Sequence, residues 1–293
     1  MAEDLFDEDF LQRLEVLNVI ARKILSGQLR AHRQSVRRGT GVEFADYRPY
    51  AEGDDFRRVD WNIYRRLGEF VLKLYREEEQ LTITVLLDAS RSMAYGVSNK
   101  FDYSRRVGAA ISYIGLCNLD RVHIVPFTNS LNGGLLGLRG KGKIFDVFEY
   151  LGKLDAGGQT DLASVLRAYT QKVRKRGLAI VISDFLDLDG FAEGLKALRY
   201  YRNEVFVIHI LDTKEEDPPL RGDLRLTDME SGASRDLTIT DGLRAKYRRA
   251  LRDHIERVRQ FCMKNEIGYC LGRTSIPFDD LVMTMLRQGG LIQ

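Results

Sequence analysis

LTITVLLDASRS occupies residues 81–92. Its first seven residues are aliphatic and β-branched, the composition of a strand covered on both faces, and they run straight into an aspartate and two serines. Four similar runs follow: RVHIVPF (121–127), LAIVISDF (178–185), EVFVIHIL (204–211) and IGYCLG (267–272). Between them, residues 101–118, 144–154, 162–176, 190–199 and 243–264 carry apolar side chains at spacings of three and four, which predicts helices. Buried strands alternating with helices predict an α/β protein with a doubly wound, mostly parallel sheet. In such a sheet the loops at the strand C-termini hold the site. Two stretches depart from the alternation. LNGGLLGLRGKG (131–142) reads as a Gly-rich insertion, and DLRLTDMESGASRDLTI (223–239) as a hairpin turning at Ser231-Gly232.

Upstream, Phe10, Leu11, Leu14, Leu17, Ile20, Ala21, Ile24 and Leu25 predict an amphipathic helix over residues 7–28. A basic run from Arg30 to Arg38 follows, and it reads as a solvated turn, with nucleic acid or anionic lipid as the alternative contact. Residues 41–80 then show turn signals at Pro49 and Gly53-Asp54-Asp55 and a short strand over 70–75. The expected division is an N-terminal helix and extension over residues 1–80, packed on a main domain over 81–293. The extension's aromatics and opposite charges read as a clasp, with Arg48, Arg57 or Arg58 pairing with Glu43, Asp54, Asp55 or Asp60 and Trp61 and Phe44 supplying apolar area.

The composition excludes several classes of protein. With 44% hydrophobic and 30% charged residues in 293, the chain is neither disordered nor low-complexity. Its 45 basic residues nearly balance 42 acidic ones, too small an excess for a dedicated nucleic-acid binder. No apolar run reaches the roughly 20 residues that span a bilayer. The acidic start, MAEDLFDEDF, is unlike a signal peptide, so the expected location is cytoplasmic. Cys117, Cys262 and Cys270 have no CxxC spacing, which fits reduced thiols and excludes a cysteine-built zinc site.

Hard oxygen donors gather at the predicted strand ends. Asp88, Ser90 and Ser92 follow the first core strand, Asp184 ends LAIVISDF, and Thr160 lies in GGQTDL just before a helix. One or two carboxylates with hydroxyls suit Mg²⁺, and Mn²⁺ and Ca²⁺ favour the same ligand types. Taken alone, Asp88, Ser90 and Ser92 are equally a loop that caps the next helix, and Thr160 and Asp161 equally an N-cap. Thr160 and Asp184 at matching strand ends favour the metal.

These five positions resemble the metal-ion-dependent adhesion site of von Willebrand factor A domains, in which the first aspartate, the serines and the threonine surround the ion and the last aspartate reaches it through water. The resemblance implies an open coordination position that takes an acidic residue of a protein partner. Gly41-Val42-Glu43-Phe44, Tyr47-Arg48-Pro49-Tyr50, Gly53-Asp54-Asp55, Arg57 and Asp60-Trp61-Asn62 are similar to the bacterial family called domain of unknown function fifty-eight, where such a segment precedes a von Willebrand A-like domain. That family implies a MoxR-type AAA+ ATPase as partner and a chaperone-like role in assembling or activating other complexes. The expectation is therefore a non-enzymatic, Mg²⁺-dependent adaptor with no nucleic-acid partner.

Enzyme readings lack parts. Haloacid-dehalogenase-like phosphatases need a second aspartate where Ser90 stands, no G-x-S-x-G elbow occurs, and GLRGKGK lacks phosphate-loop spacing. A Mg²⁺-dependent phosphoryl-transfer enzyme is the alternative. His32, His123, His209 and His254 are scattered and read as packing residues rather than ligands.

Overall fold

The computed structural model describes residues 5–32, 43–76, 81–96, 99–173, 177–187, 190–201, 203–229 and 232–288. Residues 33–38 of the basic run lie outside them, as do 174–176 of the expected helix over 162–176. In chain order the elements are α1 (Glu8–His32), β1 (Glu43–Pro49), α2 (Trp61–Leu67), β2 (Val71–Arg76), β3 (Thr82–Asp88), α3 (Lys100–Cys117), β4 (Arg121–Phe127), β5 (Leu135–Leu138) and α4 (Ile144–Gly152). Then come α5 (Leu162–Lys172), β6 (Leu178–Ser183), α6 (Phe191–Tyr200), β7 (Glu204–Leu211), α7 (Thr213–Glu216), β8 (Gly222–Thr227), β9 (Ser234–Ile239), α8 (Asp241–Lys264), β10 (Gly268–Arg273) and α9 (Phe278–Arg287).

The five expected strands form one parallel sheet, in the order β10-β7-β6-β3-β4, and β5 pairs antiparallel at the β4 edge. This is a mostly parallel, Rossmann-like α/β fold. Every residue of β3 and β6 is buried, as aliphatic strands without polar alternation require. One face of the sheet is covered by α5, α6 and α8, where Leu166, Leu195 and Val258 pack with Leu86, Val181 and Val207. The other carries α3, which comes close to β3 at Gly115. A Cβ there would meet Ile83 Cδ1 at 2.8 Å. From β3 the chain moves to one side for β4 and crosses to the other for β6. The reversal puts a crevice at the C-terminal ends of β3 and β6.

Three expectations need correction. The Gly-rich stretch 131–142 contains strand β5 rather than a simple insertion: Gly134, at φ +142°, sits so close to β4 that a Cβ would lie 2.5 Å from the Ile124 carbonyl oxygen. The division at residue 80 is joined by a second cut after Ile24, so most of the expected N-terminal helix goes with the main unit. One compact unit comprises Met1–Ile24 with Leu81–Leu291, the other Leu25–Gln80 with Ile292–Gln293. The start of α1 joins the first unit because Phe10 packs 4.7 Å from the Phe278 ring and 5.9 Å from Phe148, and Arg13 pairs with Asp279. In the second unit β1 and β2 form an antiparallel pair. Arg48 pairs with Asp54 at 2.6 Å, whereas Asp55 caps a short 3-10 turn and Asp60 caps α2 and meets Lys73 at 3.0 Å. Trp61 stays exposed, edge-on to Tyr64 and Phe70. The hairpin expected over residues 223–239 is β8 with β9, and Ser231 of its turn lies outside the described residues.

His209 is fully buried on β7, its Nδ1 3.1 Å from the Tyr269 hydroxyl. Burial, reinforced by nearby His254 and opposed by Asp184, pushes its pKa down to about 3. The folded chain therefore keeps it neutral while the unfolded chain takes up a proton below about pH 6.5, so stability is lost as pH falls from 6.5 toward 3. Urea unfolding between pH 6 and 4 should show wild type losing about 1.4 kcal/mol per pH unit more than His209→Gln. Equal slopes would contradict this.

Candidate metal centre

Asp88 ends β3 fully buried, and its carboxylate organises the loop that follows. Oδ1 accepts the Ser90 amide at 2.9 Å and lies 3.5 Å from the Thr160 hydroxyl, while Oδ2 accepts the Ser183 hydroxyl at 2.6 Å. Ser90 is buried, and its hydroxyl is 3.0 Å from that of half-buried Ser92. Two backbone bonds hold the Thr160 loop against the Asp88 loop: the Gly157 amide donates to the Ala89 carbonyl at 2.7 Å, and the Arg91 amide to that of Gly158 at 3.1 Å. Thr160 therefore arrives beside Asp88 although 72 residues separate them. Asp161 caps α5 through the Ser164 amide, so the capping role in this loop falls to Asp161.

The structure joins Asp88, Ser90, Ser92 and Thr160 in one cluster. Asp184 follows β6, the neighbouring strand, and is also buried, but its carboxylate turns to partners not expected from the sequence. Oδ2 accepts the Lys100 ammonium at 2.7 Å, and Oδ1 accepts the Leu186 amide at 3.2 Å. Lys100 opens α3, is wholly buried, and reaches Glu215 Oε1 on α7 at 2.6 Å. Between Asp184 and Leu186, buried Phe185 is held at φ +51°, a strained conformation for a bulky residue of the kind that clusters at functional sites.

Two carboxylates thus share one buried ammonium, and the Asp88 carboxylate lies buried at the end of the neighbouring strand. Burial pushes the Asp88 carboxyl up to about 7, with the Asp184 charge adding to it and the bonds from Ser183 and Ser90 opposing. Burial also raises Glu215, against the pull of Lys100. For Lys100 burial works against the charge, and Asp184 and Glu215 more than offset it, so its pKa lies above the ordinary lysine value. The Asp88 cluster offers only hard oxygen donors, and the hydrogen-bond partners described for its carboxylate are all neutral. That donor set fits a small divalent cation completed by water. No group of three His, Cys, Asp or Glu side chains arranged for a metal occurs among the described residues, so hydroxyls would have to share the coordination.

A cavity of about 820 Å³ opens beside Ser92, Thr160 and Asp184. Its far wall comes from the β8–β9 hairpin and the start of α8. With this geometry in place, comparison with known proteins assigns the chain a family. Residues 46–257 match the family described as protein of unknown function DUF58. The chain belongs to this family. The DUF58 match runs from the β1–β2 unit through most of α8. Among relatives, the uncharacterized protein Rv1480 of Mycobacterium tuberculosis is 28% identical over 260 residues, covering 86% of this chain and 80% of its own. The uncharacterized protein MAV169 of Mycobacterium avium is 37% identical over 98 residues, 33% of this chain and 57% of its own. Among solved structures, the conserved hypothetical protein BatB from Bacteroides thetaiotaomicron aligns at 13% identity and TM-score 0.43, over 71% of this chain and 96% of that one. An aerotolerance-related membrane protein from Bacteroides fragilis aligns at 13% identity and TM-score 0.44, over 71% and 97%. No helix among the described residues of this DUF58 chain is long and apolar enough to cross a membrane.

Sequence reasoning passed over Ser183, Lys100 and Glu215. Ser183 directly precedes Asp184 in ISDF and was open to notice, whereas nothing local distinguishes Lys100 or Glu215 from other surface-type residues. Removing the Lys100 ammonium leaves buried Asp184 and half-buried Glu215 without their shared counter-charge. Lys100→Met should therefore lower the unfolding free energy by about 3 kcal/mol or more, with Lys100→Met/Glu215→Gln recovering part of the loss. Denaturant titration checks both, and a loss under about 1 kcal/mol would contradict the pairing.

Proposed function

We propose that this chain is a metal-dependent protein-binding adaptor whose sheet unit is a von Willebrand A-like domain. Mg²⁺ would be held by Asp88, Ser90, Ser92 and Thr160, with Asp184 contributing through water because its Oδ2 is engaged by Lys100. One observation carries the reading: the Ser90 amide and the Thr160 and Ser183 hydroxyls meet a buried carboxylate, the Ser90 and Ser92 hydroxyls pair beside it, and its described hydrogen-bond partners are all neutral. When bound, the cation supplies the missing positive charge and a coordination position for an acidic group on the partner. The chain's own residues orient it: Ser183 fixes one oxygen of Asp88, the Ser90 amide fixes the other, and the paired loops bring Thr160 to the same spot. The partner in this proposal is a MoxR-type AAA+ ATPase or its client, met in the cytoplasm, and the role is chaperone-like rather than enzymatic.

Titration calorimetry should show one Mg²⁺ site in wild type and at least tenfold weaker binding in Asp88→Ala, with circular dichroism confirming that both are folded. A MoxR-type AAA+ ATPase, purified and mixed with each, should be retained by wild type with Mg²⁺ and released by chelator. Equal retention with and without metal would contradict the adaptor reading. Turnover of p-nitrophenyl phosphate by wild type, lost in Asp88→Ala, would establish the phosphoryl-transfer alternative in its place.

A further inference from the structure

We infer that the cavity beside Asp184 is the docking groove for a peptide segment of a partner protein that carries an acidic side chain close in sequence to large apolar ones. The acidic end rests on the metal-centre reading. The apolar end is a separate observation about the hairpin and α8.

Several large apolar side chains that remain exposed line this cavity. Leu186, Leu220, Met229, Leu237, Leu243 and Tyr247 are each more than a third exposed, and all line it. A contiguous apolar patch set in a concave, polar-rimmed site marks a place where something binds.

The hairpin explains the patch. On one face of β8–β9, Arg225 forms a two-bond pair with Asp236 at 2.7 and 3.0 Å, Thr238 donates to Asp223 at 2.5 Å, and Thr227 meets Ser234 at 2.9 Å. That face is polar and internally satisfied. The alternate residues Leu226, Leu237 and Ile239 line the cavity, yet Leu237 is still 40% exposed. An isolated two-stranded hairpin is marginal in water and gains stability when its apolar face is covered.

Helix α8 repeats the pattern. Leu243, Tyr247, Leu251, His254, Val258 and Cys262 follow one another at helical spacing. The last four are buried, whereas Leu243 and Tyr247 line the cavity at 37% and 42% exposure. The same apolar stripe thus runs out of the core and into the groove without a cover.

Backbone chemistry selects a peptide as that cover. β8 and β9 pair only with each other among the described residues, so each offers an outer edge to an added strand. The acidic end follows from the proposed cation alone. Asp184, Asp187, Glu215 and Asp228 line the cavity against Lys214 and Arg244, an excess of carboxylates that a bound divalent cation would offset, leaving its open coordination position to an acidic side chain. A partner bearing both features would meet the metal with its carboxylate and the Leu237–Leu243–Tyr247 wall with its apolar side chains.

A random dodecapeptide display library panned on the full chain with Mg²⁺ tests this. Fluorescein-labelled peptides of the consensus are then measured by anisotropy against wild type, Asp88→Ala and the exposed-wall variant Leu237→Ser/Leu243→Ser. The expected consensus joins Asp or Glu to Leu, Ile, Phe or Met. Binding should weaken at least tenfold with chelator, in Asp88→Ala and in the wall variant, the last with Mg²⁺ affinity unchanged. An acidic consensus without apolar positions, bound equally by the wall variant, would overturn the groove while leaving the metal centre standing. An apolar consensus indifferent to chelator and to Asp88→Ala would overturn the acidic half together with the metal centre. Absence of any consensus, or octanoate binding more tightly than every selected peptide, would overturn the inference as a whole.

Discussion

A carboxylate buried at the end of a strand that is itself covered on both faces is the constraint around which this molecule is arranged. Asp88 cannot reach water, and burial of an isolated charge is expensive. The chain answers with neutral donors: the Ser183 hydroxyl from β6, the Ser90 amide from the following turn and the Thr160 hydroxyl from a loop zipped to it. These offset part of the cost and leave the carboxyl up at about 7. In the proposed reading a cation supplies the counter-charge that these neutral donors do not.

A second charge system, two carboxylates sharing one ammonium, stands next to the first. Lys100 ties the end of β6 to α7 through Asp184 and Glu215, and Glu215 also closes a capping box with Asp212. Asp212 in turn accepts the Thr274 hydroxyl at 2.8 Å, and it sits so near the β3 loop that a Cβ on Gly96 would lie 2.6 Å from its Oδ2. Loops after β3, β6, β7 and β10 are thereby held in one rigid rim. Preorganisation of this kind lets a shallow set of hydroxyls act together, because the positions are set before any ligand arrives.

Much of this was legible in the sequence, for reasons that differ by element. The five parallel strands announced themselves because burial on both faces leaves no room for polar alternation. Asp88, Ser90, Ser92 and Thr160 were legible as a cluster because a parallel sheet brings its C-terminal loops to one edge. β5 was not: Gly133, Gly134 and Gly137 break the apolar run, and an edge strand of four residues has no period to read. α9 had its signals, with Pro277 at the N-cap and apolar residues at helical spacing from Phe278 to Leu286, but the strand-by-strand reading passed over it. The α1 stripe was visible, while its target on Phe148 and Phe278 exists only once α4 and α9 are folded. Lys100 is invisible for the same reason. Only the tertiary structure sets that ammonium between two carboxylates, and its bond to Asp184 changes the part this residue can take in holding a metal.

The central claim is that a divalent cation sits on the Asp88 cluster. Crystals grown with Mn²⁺ and measured at the manganese absorption edge test it most directly. The account predicts a single anomalous peak within coordination distance of Asp88, Ser90, Ser92 and Thr160, with Lys100 still on Asp184. No peak at that cluster in crystals holding Mn²⁺ well above millimolar concentration, or a peak bound only by other residues, would contradict it.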